Sequence, residues 1–508
     1  MTTTPDLLAN AVARFPDRPC VVEGERSLSF AAVDARADRL AQALAARGLR
    51  PGERVALLAK SEPEYFEIQV AAQRAGLILV PLNQRLAVAE LRAILADCEP
   101  RLLIHGPGFE EAAAELAPGS AWHLGAGGSG ASYEAAIAEF EPRAVRPQLD
   151  PAAANAILYT SGTTGRAKGA ITSNATLWAR ANLMALEIGM RPGDAFFFPI
   201  PMFHVSSGVA YAFAYRGATV VLMRDFDAAG AVELMARHRT TQAVLVPTMI
   251  GRVVEAIATS PTVLDDLRLV LYGGSAIAPE LLRRAMSTIG CEFLQGYGLT
   301  EALNATMLRR EDHDPEGRPD LLSSAGKDTV SYETRIVGED GSEVALGEVG
   351  EILVRGPGVM DGYWNAPEAT AQVLRDGWLH TGDLGHRSPE GYLFITDRLK
   401  DVIVTGGENV YSREVEDALC EHEGVLEAAV VGIPSAEWGE SVHAVVVARP
   451  GATLEAPELI AHCRGLLAGY KSPKSIEVVE DLPKNASGKI LKREVRATYW
   501  RDAERAVG

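Results

Sequence analysis

The segment Tyr159–Gly169 contains the densest group of residues that could bind an anion. It follows the apolar run Ala156–Leu158 and places four aliphatic hydroxyls, three glycines and one lysine within eleven residues. Glycines let backbone N–H groups approach a ligand, hydroxyls donate further hydrogen bonds, and Lys168 adds positive charge. Position 167 is alanine, so the segment is not a Walker A motif. It predicts a phosphate-binding loop, although a polar hairpin tip can share this composition.

A second glycine-rich segment, Gly125–Gly130, formally matches the dinucleotide-binding pattern G-x-G-x-x-G. The preceding Ala121–Leu124 has the composition of a poor strand, and this fingerprint should open the first βαβ unit of its domain. We therefore interpret Gly125–Gly130 as a surface loop.

The motif Gln295–Glu301 carries three groups suited to a nucleotide and a metal ion. It is expected to follow a strand. Tyr297, between two glycines, could offer an exposed ring for stacking on a base. Thr300 could donate to a phosphate, and Glu301 offers the hard oxygen ligands that Mg²⁺ prefers. Alone, the motif is equally compatible with a tight structural turn.

Three other segments have weaker chemical signals. His380–Gly385 is expected to place Asp383 on a glycine turn, where it could accept hydrogen bonds from ribose hydroxyls or form an ordinary Asx-turn. His204 lies among apolar residues, which is typical of a core histidine. The basic segment Lys484–Arg493 could be only a solvated face.

The order of these segments changes their interpretation. Together they resemble the adenylate-forming superfamily, which includes acyl-CoA synthetases, firefly-luciferase-like enzymes and the adenylation domains of nonribosomal peptide synthetases. The resemblance covers nearly the whole chain, and its signatures are Tyr159–Gly169, Gly296–Glu301, Thr381–Asp383, Asp397–Asp401 and Pro483–Lys489.

The resemblance implies a binding site for ATP and AMP. Its residues would be Thr160, Ser161, Gly162, Thr163, Thr164, Gly165 and Lys168 over the β- and γ-phosphates, Gly273, Gly274 and Ser275 beside the adenine opposite Gly296, Tyr297 and Gly298, Thr300 at the α-phosphate, and Asp383 and Arg398 at the ribose.

The resemblance also implies catalytic, acyl and hinge residues. Lys489 would bridge the substrate carboxylate and the α-phosphate, and Glu301 would bind the metal. The acyl pocket would contain His204 as its gate, with Val205, Ser206, Gly208, Ala302 and Asn304. Lys400 would be the hinge, and Gly406, Gly407 and Glu408 would serve the CoA step.

Two further features bear on this site. The segments expected to line the acyl pocket, Phe203–Tyr211, Tyr272–Ala276 and Gly296–Thr306, contain no lysine or arginine near the pocket floor. A second substrate carboxylate would therefore lack an obvious partner there, although a residue from elsewhere in the chain could serve. After Gly406–Asn409 the chain has Val-Tyr-Ser, where the family more often has Ile-Ser-Pro or Ile-Tyr-Pro. We expect Ser412 only to lose a proline before its helix.

The surrounding pattern predicts the elements that position these residues. Short apolar strands alternate with amphipathic helices in the first half, which indicates βαβ units around a mostly parallel sheet. Short strands with glycine turns follow from about Ser331, and a compact α/β unit follows Asp401. The expected fold is α/β: a large N-terminal domain of βαβ subdomains plus a β-rich subdomain, residues 1–399, and a small mobile C-terminal α/β domain, residues 400–508, with the hinge at Lys400.

Composition narrows the function classes. A chain of 508 residues with 47% hydrophobic and 23% charged residues is a globular protein of at least two domains. Its net charge of −18 argues against nucleic-acid or membrane-surface binding. Five scattered cysteines suggest reduced thiols, and no apolar run suits a membrane span or signal peptide. We therefore expect a cytoplasmic protein without stable membrane insertion; a homodimer is left open.

The expected activity is that of an ATP-dependent acid–CoA ligase. It would convert a medium-chain, fatty or aryl acid to acyl-AMP with release of pyrophosphate, then transfer the acyl group to CoA with release of AMP, using Mg²⁺. We therefore expect a cytoplasmic ligase of fatty acid metabolism. Alternatives are an enzyme that loads a carrier-protein thiol, a luciferase-like oxidation, and a non-enzymatic nucleotide-binding scaffold.

Overall fold

Alternating strands and helices build most of the chain into an α/β fold with a large N-terminal domain and a small C-terminal domain. The computed structural model describes residues 6–117, 121–124, 131–143, 148–160, 167–260, 262–435, 437–484 and 489–506. The predicted Ser161–Gly165 and the glycine-rich Gly125–Gly130 therefore lie outside the described residues.

The strands form four sheets within the described ranges. In chain order they are β1 (Pro19–Glu23), β2 (Arg26–Ser29), β3 (Arg54–Leu58), β4 (Ile78–Pro81), β5 (Leu102–His105), β6 (Ala121–His123), β7 (Ala131–Ser132), β8 (Ala154–Thr160), β9 (Lys168–Ser173), β10 (Ala195–Phe198), β11 (Thr219–Leu222), β12 (Gln242–Leu245), β13 (Leu269–Gly273), β14 (Glu292–Leu299), β15 (Leu303–Leu308), β16 (Lys327–Asp328), β17 (Glu333–Val337), β18 (Gly350–Arg355), β19 (Gly362–Tyr363), β20 (Leu374–Arg375), β21 (Trp378–Arg387), β22 (Leu393–Arg398), β23 (Ile403–Thr405), β24 (Glu408–Val410), β25 (Val425–Ser435), β26 (Gly439–Ala448) and β27 (Ser475–Val479).

The helices cover the faces of these sheets. They are α1 (Ala9–Arg14), α2 (Phe30–Ala46), α3 (Glu64–Arg74), α4 (Val88–Cys98), α5 (Glu110–Leu116), α6 (Tyr133–Ala138), α7 (Asn174–Ile188), α8 (Ser207–Tyr215), α9 (Ala228–Arg237), α10 (Pro247–Thr259), α11 (Pro279–Ile289), α12 (Pro367–Val373), α13 (Ser412–Cys420), α14 (Ala456–Leu466) and α15 (Lys492–Ala506), with short 3₁₀ turns at Arg310–Asp312, Pro319–Ser323 and Leu399–Asp401.

The nine-stranded sheet has the order β16-β15-β14-β13-β12-β10-β11-β1-β2. Strands β10, β12, β13 and β14 are parallel neighbours, so their carboxyl ends meet at one edge. His204 follows β10, Gly273 ends β13, and Tyr297 lies near the end of β14. The sheet topology therefore brings three separate predicted site segments to one edge.

The eight-stranded sheet has the order β19-β9-β8-β4-β3-β5-β6-β7. Thr160, the last residue of β8, pairs with Lys168, the first residue of β9. The short strand β19 pairs with β9 at the edge of the sheet. The interpretation of Ala121–Leu124 as a poor strand was wrong, because Ala121–His123 pairs in parallel with β5. Its Trp122 is buried, and a position near the sheet edge tolerates a three-residue strand.

The motif Gln295–Glu301 was expected to follow a strand, but most of it forms the end of strand β14. Strand β14 continues to Leu299 and pairs antiparallel with β15, leaving Thr300 and Glu301 in the connecting turn. The backbones approach very closely here, since a Cβ added to Gly298 would lie 1.4 Å from the Leu303 carbonyl oxygen. Glycine at position 298 is therefore what lets the hairpin present Thr300 and Glu301.

The predicted β-rich subdomain is a five-stranded antiparallel sheet of β17, β18, β20, β21 and β22. The expected glycine turn at Asp383 was wrong, because Asp383 lies inside the ten-residue strand β21. Gly382 has a positive φ of 69°, and the pairing with β22 shifts register between Leu384 and Gly385. A local irregularity of a strand, rather than a turn, therefore orients this carboxylate.

The small domain packs α13, α14 and α15 against the sheet of β23 to β27. The 3₁₀ turn Leu399–Asp401 separates β22, in the large domain, from β23, in the small one. The boundary at Lys400 stays a prediction that this position supports. In the described part of the chain, no helix combines the length and apolarity needed to cross a membrane.

Gly298→Ala should lower the free energy of unfolding by about 1–3 kcal/mol or more, because the new methyl group overlaps the β15 backbone. The matched control is Gly251→Ala in α10, where the methyl group would lie 3.8 Å from Leu281 and alanine favours the helix. Thermal unfolding of both variants measures the difference. Equal midpoints would contradict the close approach at Gly298.

Candidate functional site

Glu301 lies in the turn that connects β14 and β15, close to Tyr363 of β19. Its carboxylate Oε1 accepts a hydrogen bond from the Tyr363 hydroxyl at 2.7 Å. The Lys168 ammonium lies 5.3 Å from the centre of the Tyr363 ring. The pairing of β19 with β9 therefore aligns Lys168, Tyr363 and Glu301. Tyr363 was missed from the sequence, because only the distant strand pairing brings it here.

The donor set around Glu301 fits a magnesium ion. Among the described residues no group of three or more His, Cys, Asp or Glu side chains could hold a metal. Mg²⁺ typically uses one or two carboxylates and completes its shell with water and substrate phosphates. Glu301, oriented by Tyr363, supplies such a single carboxylate.

The predicted ribose contacts form a compact group. The Tyr297 hydroxyl donates to Asp383 Oδ2 at 2.8 Å, and Arg398 Nε lies 3.2 Å from Asp383 Oδ1. Asp383 and Arg398 are direct neighbours across β21 and β22. The Tyr297 ring is half-buried rather than freely exposed as expected, and burial raises the pKa of its hydroxyl. The Asp383 carboxylate therefore organises this side of the site.

Lys489 reaches the same group from the small domain. Burial, and after it the nearby positive charge of Arg398, lower the pKa of its ammonium to about 8, while Asp383 and Asp401 oppose the shift. A buried lysine with a depressed pKa next to a cluster of charges is typical of a functional position. The structure thus brings Lys489 to Asp383 and Arg398, although more than ninety residues separate Lys489 from Arg398 in the chain.

The predicted adenine wall lies where Gly273, the last residue of β13, pairs with Gly296 inside β14. A Cβ at Gly273 would lie 2.3 Å from the Gly296 carbonyl oxygen, and one at Gly296 would lie 2.8 Å from Asn304. Gly274 has a φ of 81° and is exposed, and Ser275 follows it. These glycines keep the strand ends flat and close together.

His204 is held in one orientation by its own turn. Its Nδ1 accepts the backbone N–H of Ser206 at 3.2 Å and lies 2.8 Å from the Ser206 hydroxyl. Burial lowers the pKa of the imidazole to about 4, so the ring is neutral at pH 7 and carries its proton on Nε2. A neutral, fixed ring suits a pocket gate better than a proton-transfer catalyst.

The structure places the predicted acyl-pocket residues in different surroundings. Val205 and Gly208 line an internal cavity. Asn304 donates to the sulfur of Met184 at 3.5 Å and packs under Gly296. Ala302 is fully buried in the hydrophobic core, where packing leaves it no exposed surface. The structure therefore does not place Ala302 on a pocket wall.

Arg180, on α7, was missed as an individual residue, and it lies outside the three segments expected to line the pocket, where a partner from elsewhere was left open. It lines the same cavity as Val205, although its side chain is almost completely buried. Its Nε donates to the Gly358 carbonyl at 2.8 Å and its Nη2 to the Thr300 carbonyl at 3.2 Å. Burial lowers the pKa of this guanidinium. Arg180 therefore braces the Thr300–Glu301 turn from below.

The predicted CoA-step residues form an exposed hairpin between β23 and β24. Gly406 and Gly407 have φ values of 60° and 86°, and a Cβ at Gly406 would lie 2.8 Å from the Trp438 ring. Glu408 is exposed. Within the described residues, no hydrogen bond or ion pair joins this hairpin to Thr300 or Glu301. The orientation seen here thus brings Lys489, and not the glycine hairpin, to the site.

Comparison with known proteins identifies the family. Residues 8–364 match the AMP-binding enzyme family, and residues 414–489 match the AMP-binding enzyme C-terminal domain. The chain is 40% identical to a feruloyl-CoA synthase of Amycolatopsis sp, covering 95% of this chain and 96% of that protein. It is 39% identical to the fatty acid–[acyl-carrier-protein] ligase ScoC of Streptomyces coeruleorubidus, covering 97% and 95%. ATP-bound MatB from Rhodopseudomonas palustris has a TM-score of 0.89 at 32% identity, covering 98% and 99%.

The chain therefore belongs to the AMP-binding enzyme family and is an AMP-forming acid–thiol ligase of the acyl-CoA synthetase class. The superfamily resemblance, the fold class and the enzyme class expected from the sequence are confirmed. ATP, CoA and a small carboxylic acid as substrates accord with this family. The site roles of individual residues and the acid itself belong to the proposals below.

Tyr363→Phe should raise the Mg²⁺ concentration needed for half-maximal adenylation about 10–100-fold, because the Glu301 carboxylate loses the hydroxyl that orients it. Glu301→Gln should raise it further, since a carboxylate ligand is lost. The control is Tyr392→Phe, which removes a tyrosine hydroxyl that donates to Asp312 at 2.6 Å. Magnesium titrations of the initial rate compare the three. If the magnesium titration curve of Glu301→Gln matches that of the wild type, Glu301 does not bind the metal and has a structural role only.

Proposed function

We propose that the protein is an ATP-dependent acid–CoA ligase whose acid carries an aromatic ring. The observation that carries the adenylation step is the meeting of Lys489 with Asp383 and Arg398, beside Thr300 and Glu301. One carboxylate, one buried ammonium and one guanidinium from two domains are thereby available to a single bound nucleotide.

The proposed chemistry follows from the weakness of a carboxylate as an electrophile. A carboxylate oxygen attacks the α-phosphorus of ATP, the bond to the β-phosphate oxygen breaks, and pyrophosphate leaves. The product is an acyl-AMP anhydride. A thiolate then attacks its carbonyl carbon, the bond to AMP breaks, and a thioester forms. AMP is a far better leaving group than oxide, which is why the first step is needed.

The chain's own groups would stabilise the charge that develops in the first step. Lys489 would contact both the attacking carboxylate and the α-phosphate, since a lysine is a compact charge on a flexible stem. Thr300, held by Arg180, would donate to the α-phosphate, and Lys168 would bind the outer phosphates. Glu301 would hold Mg²⁺, which would neutralise phosphate charge when bound.

The aromatic substrate is supported by the types of residue around the small cavity beside Val205, which has a volume of about 40 Å³. Leu158 and Leu177 supply apolar surface and Tyr211 supplies a ring, while Gln69 and Arg180 supply polar groups. The 40% identity to a feruloyl-CoA synthase supports the same class of acid.

A panel of acids tests the substrate class. Aromatic acids with a ring oxygen should support ATP–pyrophosphate exchange and CoA-dependent AMP release at higher kcat/KM than octanoate or palmitate. Faster turnover of the fatty acids would contradict the aromatic assignment. Thioester formation on a carrier-protein thiol but not on CoA would favour the loading enzyme, and no exchange with any acid would favour a nucleotide-binding scaffold.

Lys489→Ala should slow acyl-AMP formation by about 10²–10³-fold or more, because a charge that stabilises the transition state is removed. Transfer from supplied acyl-AMP to CoA should persist, because that step needs no α-phosphate contact from Lys489. Single-turnover measurements of each half-reaction compare the two. Equal losses in both would contradict the role.

The depressed pKa of Lys489 predicts a pH profile. The ammonium is the active form, so kcat/KM for adenylation should fall as the pH rises through about 8, rather than near the ordinary lysine value. Lys489→Arg keeps the charge at high pH and should remove this limb, at a reduced absolute rate. Lys484→Arg is the control, since Lys484 lies in the same segment but pairs with Glu427 and Asp481.

A further inference from the structure

Ser412 connects the two domains through its backbone and its side chain. Its N–H and its hydroxyl both donate to Asp397 Oδ2, the hydroxyl at 2.8 Å. Ser412 has no exposed surface, and Asp397 is 5% exposed. A proline at position 412 would have neither donor. The expectation that Ser412 merely lacks a proline before its helix was therefore wrong.

The bond to Asp397 crosses the predicted hinge. Asp397 belongs to β22 and pairs with Leu384 in the large domain, whereas Ser412 is the first residue of α13 in the small domain. Lys400 lies between them in the chain. If the small domain turns about Lys400, Asp397 stays with one domain and Ser412 leaves with the other, so this contact exists in one orientation only.

The same serine is connected to the helix that follows Lys489. The Lys492 ammonium lies 2.7 Å from the Ser412 hydroxyl and 2.7 Å from Glu416 Oε1. Glu416 also accepts the Val430 N–H at 2.7 Å. Lys492 begins α15, three residues after Lys489. The network therefore runs from the large domain, through the start of α13, to the segment that carries Lys489.

We propose that Ser412 is a positioning residue that latches the small domain in the orientation that presents Lys489 to Asp383 and Arg398. This inference rests on the proposed function and on the hinge at Lys400. The latch favours acyl-AMP formation and opposes the rotation required before thiol attack. A contact present in only one of two states shifts their populations by the free energy that it contributes. Hydrogen bonds to a charged group typically shift such an equilibrium tenfold or more.

Ser412→Pro is a sharp test, because proline fits the first position of a helix and Tyr411 already has the extended backbone that precedes proline. The variant should fold while losing both donors to Asp397. Ser412→Ala keeps the N–H and loses only the hydroxyl. The control is Ser475→Ala, which removes a hydrogen bond to His443 inside the small domain.

Single-turnover rates of the two half-reactions should separate the variants. We expect the ratio of the thioester-forming rate to the adenylation rate to rise about tenfold or more in Ser412→Pro and less in Ser412→Ala, with no change in Ser475→Ala. A merely structural defect would lower both rates together. An unchanged ratio in Ser412→Pro would overturn the latch. A wild-type enzyme that forms no acyl-AMP from any acid would instead overturn the proposed function.

Hydrogen exchange supplies a test that does not depend on activity. Opening of the latch should speed amide exchange over residues 397–412 in Ser412→Pro relative to wild type, with the β25–β26 core as internal reference. Wild-type exchange rates throughout residues 397–412 in that variant would overturn the proposal. Faster exchange in this segment alone would support it.

Discussion

The rest of the site depends on the interactions of one group, the carboxylate of Asp383. It accepts the Tyr297 hydroxyl, pairs with Arg398, and lies close enough to Lys489 to influence its pKa. The nine-stranded sheet supplies Tyr297, the β-rich sheet supplies Arg398, and the small domain supplies Lys489. A single anion therefore gathers groups from three parts of the fold. Without it, the positive charges of Lys489 and of the partly exposed Arg398 would repel each other with no carboxylate between them.

The parts of this arrangement that sequence could predict are those with local causes. The helix of Val33, Ala37, Leu40 and Leu44 follows from apolar spacing, and it ends just before Gly48, whose φ is 86°. The short strands expected from about Ser331 and the α/β unit expected after Asp401 are likewise present, as the sheet of β17 to β22 and the small domain. The phosphate-loop, Tyr297, Asp383 and Lys489 segments carry recognisable local signatures whose order identified the superfamily.

The features that sequence could not predict depend on contacts between distant strands. Tyr363 reaches Glu301 only because β19 pairs with β9, and Arg180 reaches Thr300 only because α7 packs beneath that turn. Neither residue belongs to a local pattern. The misplacement of Asp383 on a turn has the same origin, because glycine signals a turn locally, whereas here Gly382 serves a register shift inside a strand. Ser412 is the clearest example of what a sequence pattern cannot predict, since only the folded chain brings it into contact with Asp397.

Two demands on the small domain set limits on the strength of any latch. In the proposed cycle, Lys489 would be held at the α-phosphate until acyl-AMP has formed, and the small domain would then turn away before a thiol attacks the acyl carbonyl. A contact that is too weak would leave the adenylation orientation thinly populated, and one that is too strong would make rotation the slow step. A serine offering two neutral donors to one carboxylate lies between these extremes. An arginine–carboxylate pair across the hinge would hold more tightly, and a proline would not hold at all. Ser412 would therefore suit a domain that is held and then released in each cycle of the proposed mechanism.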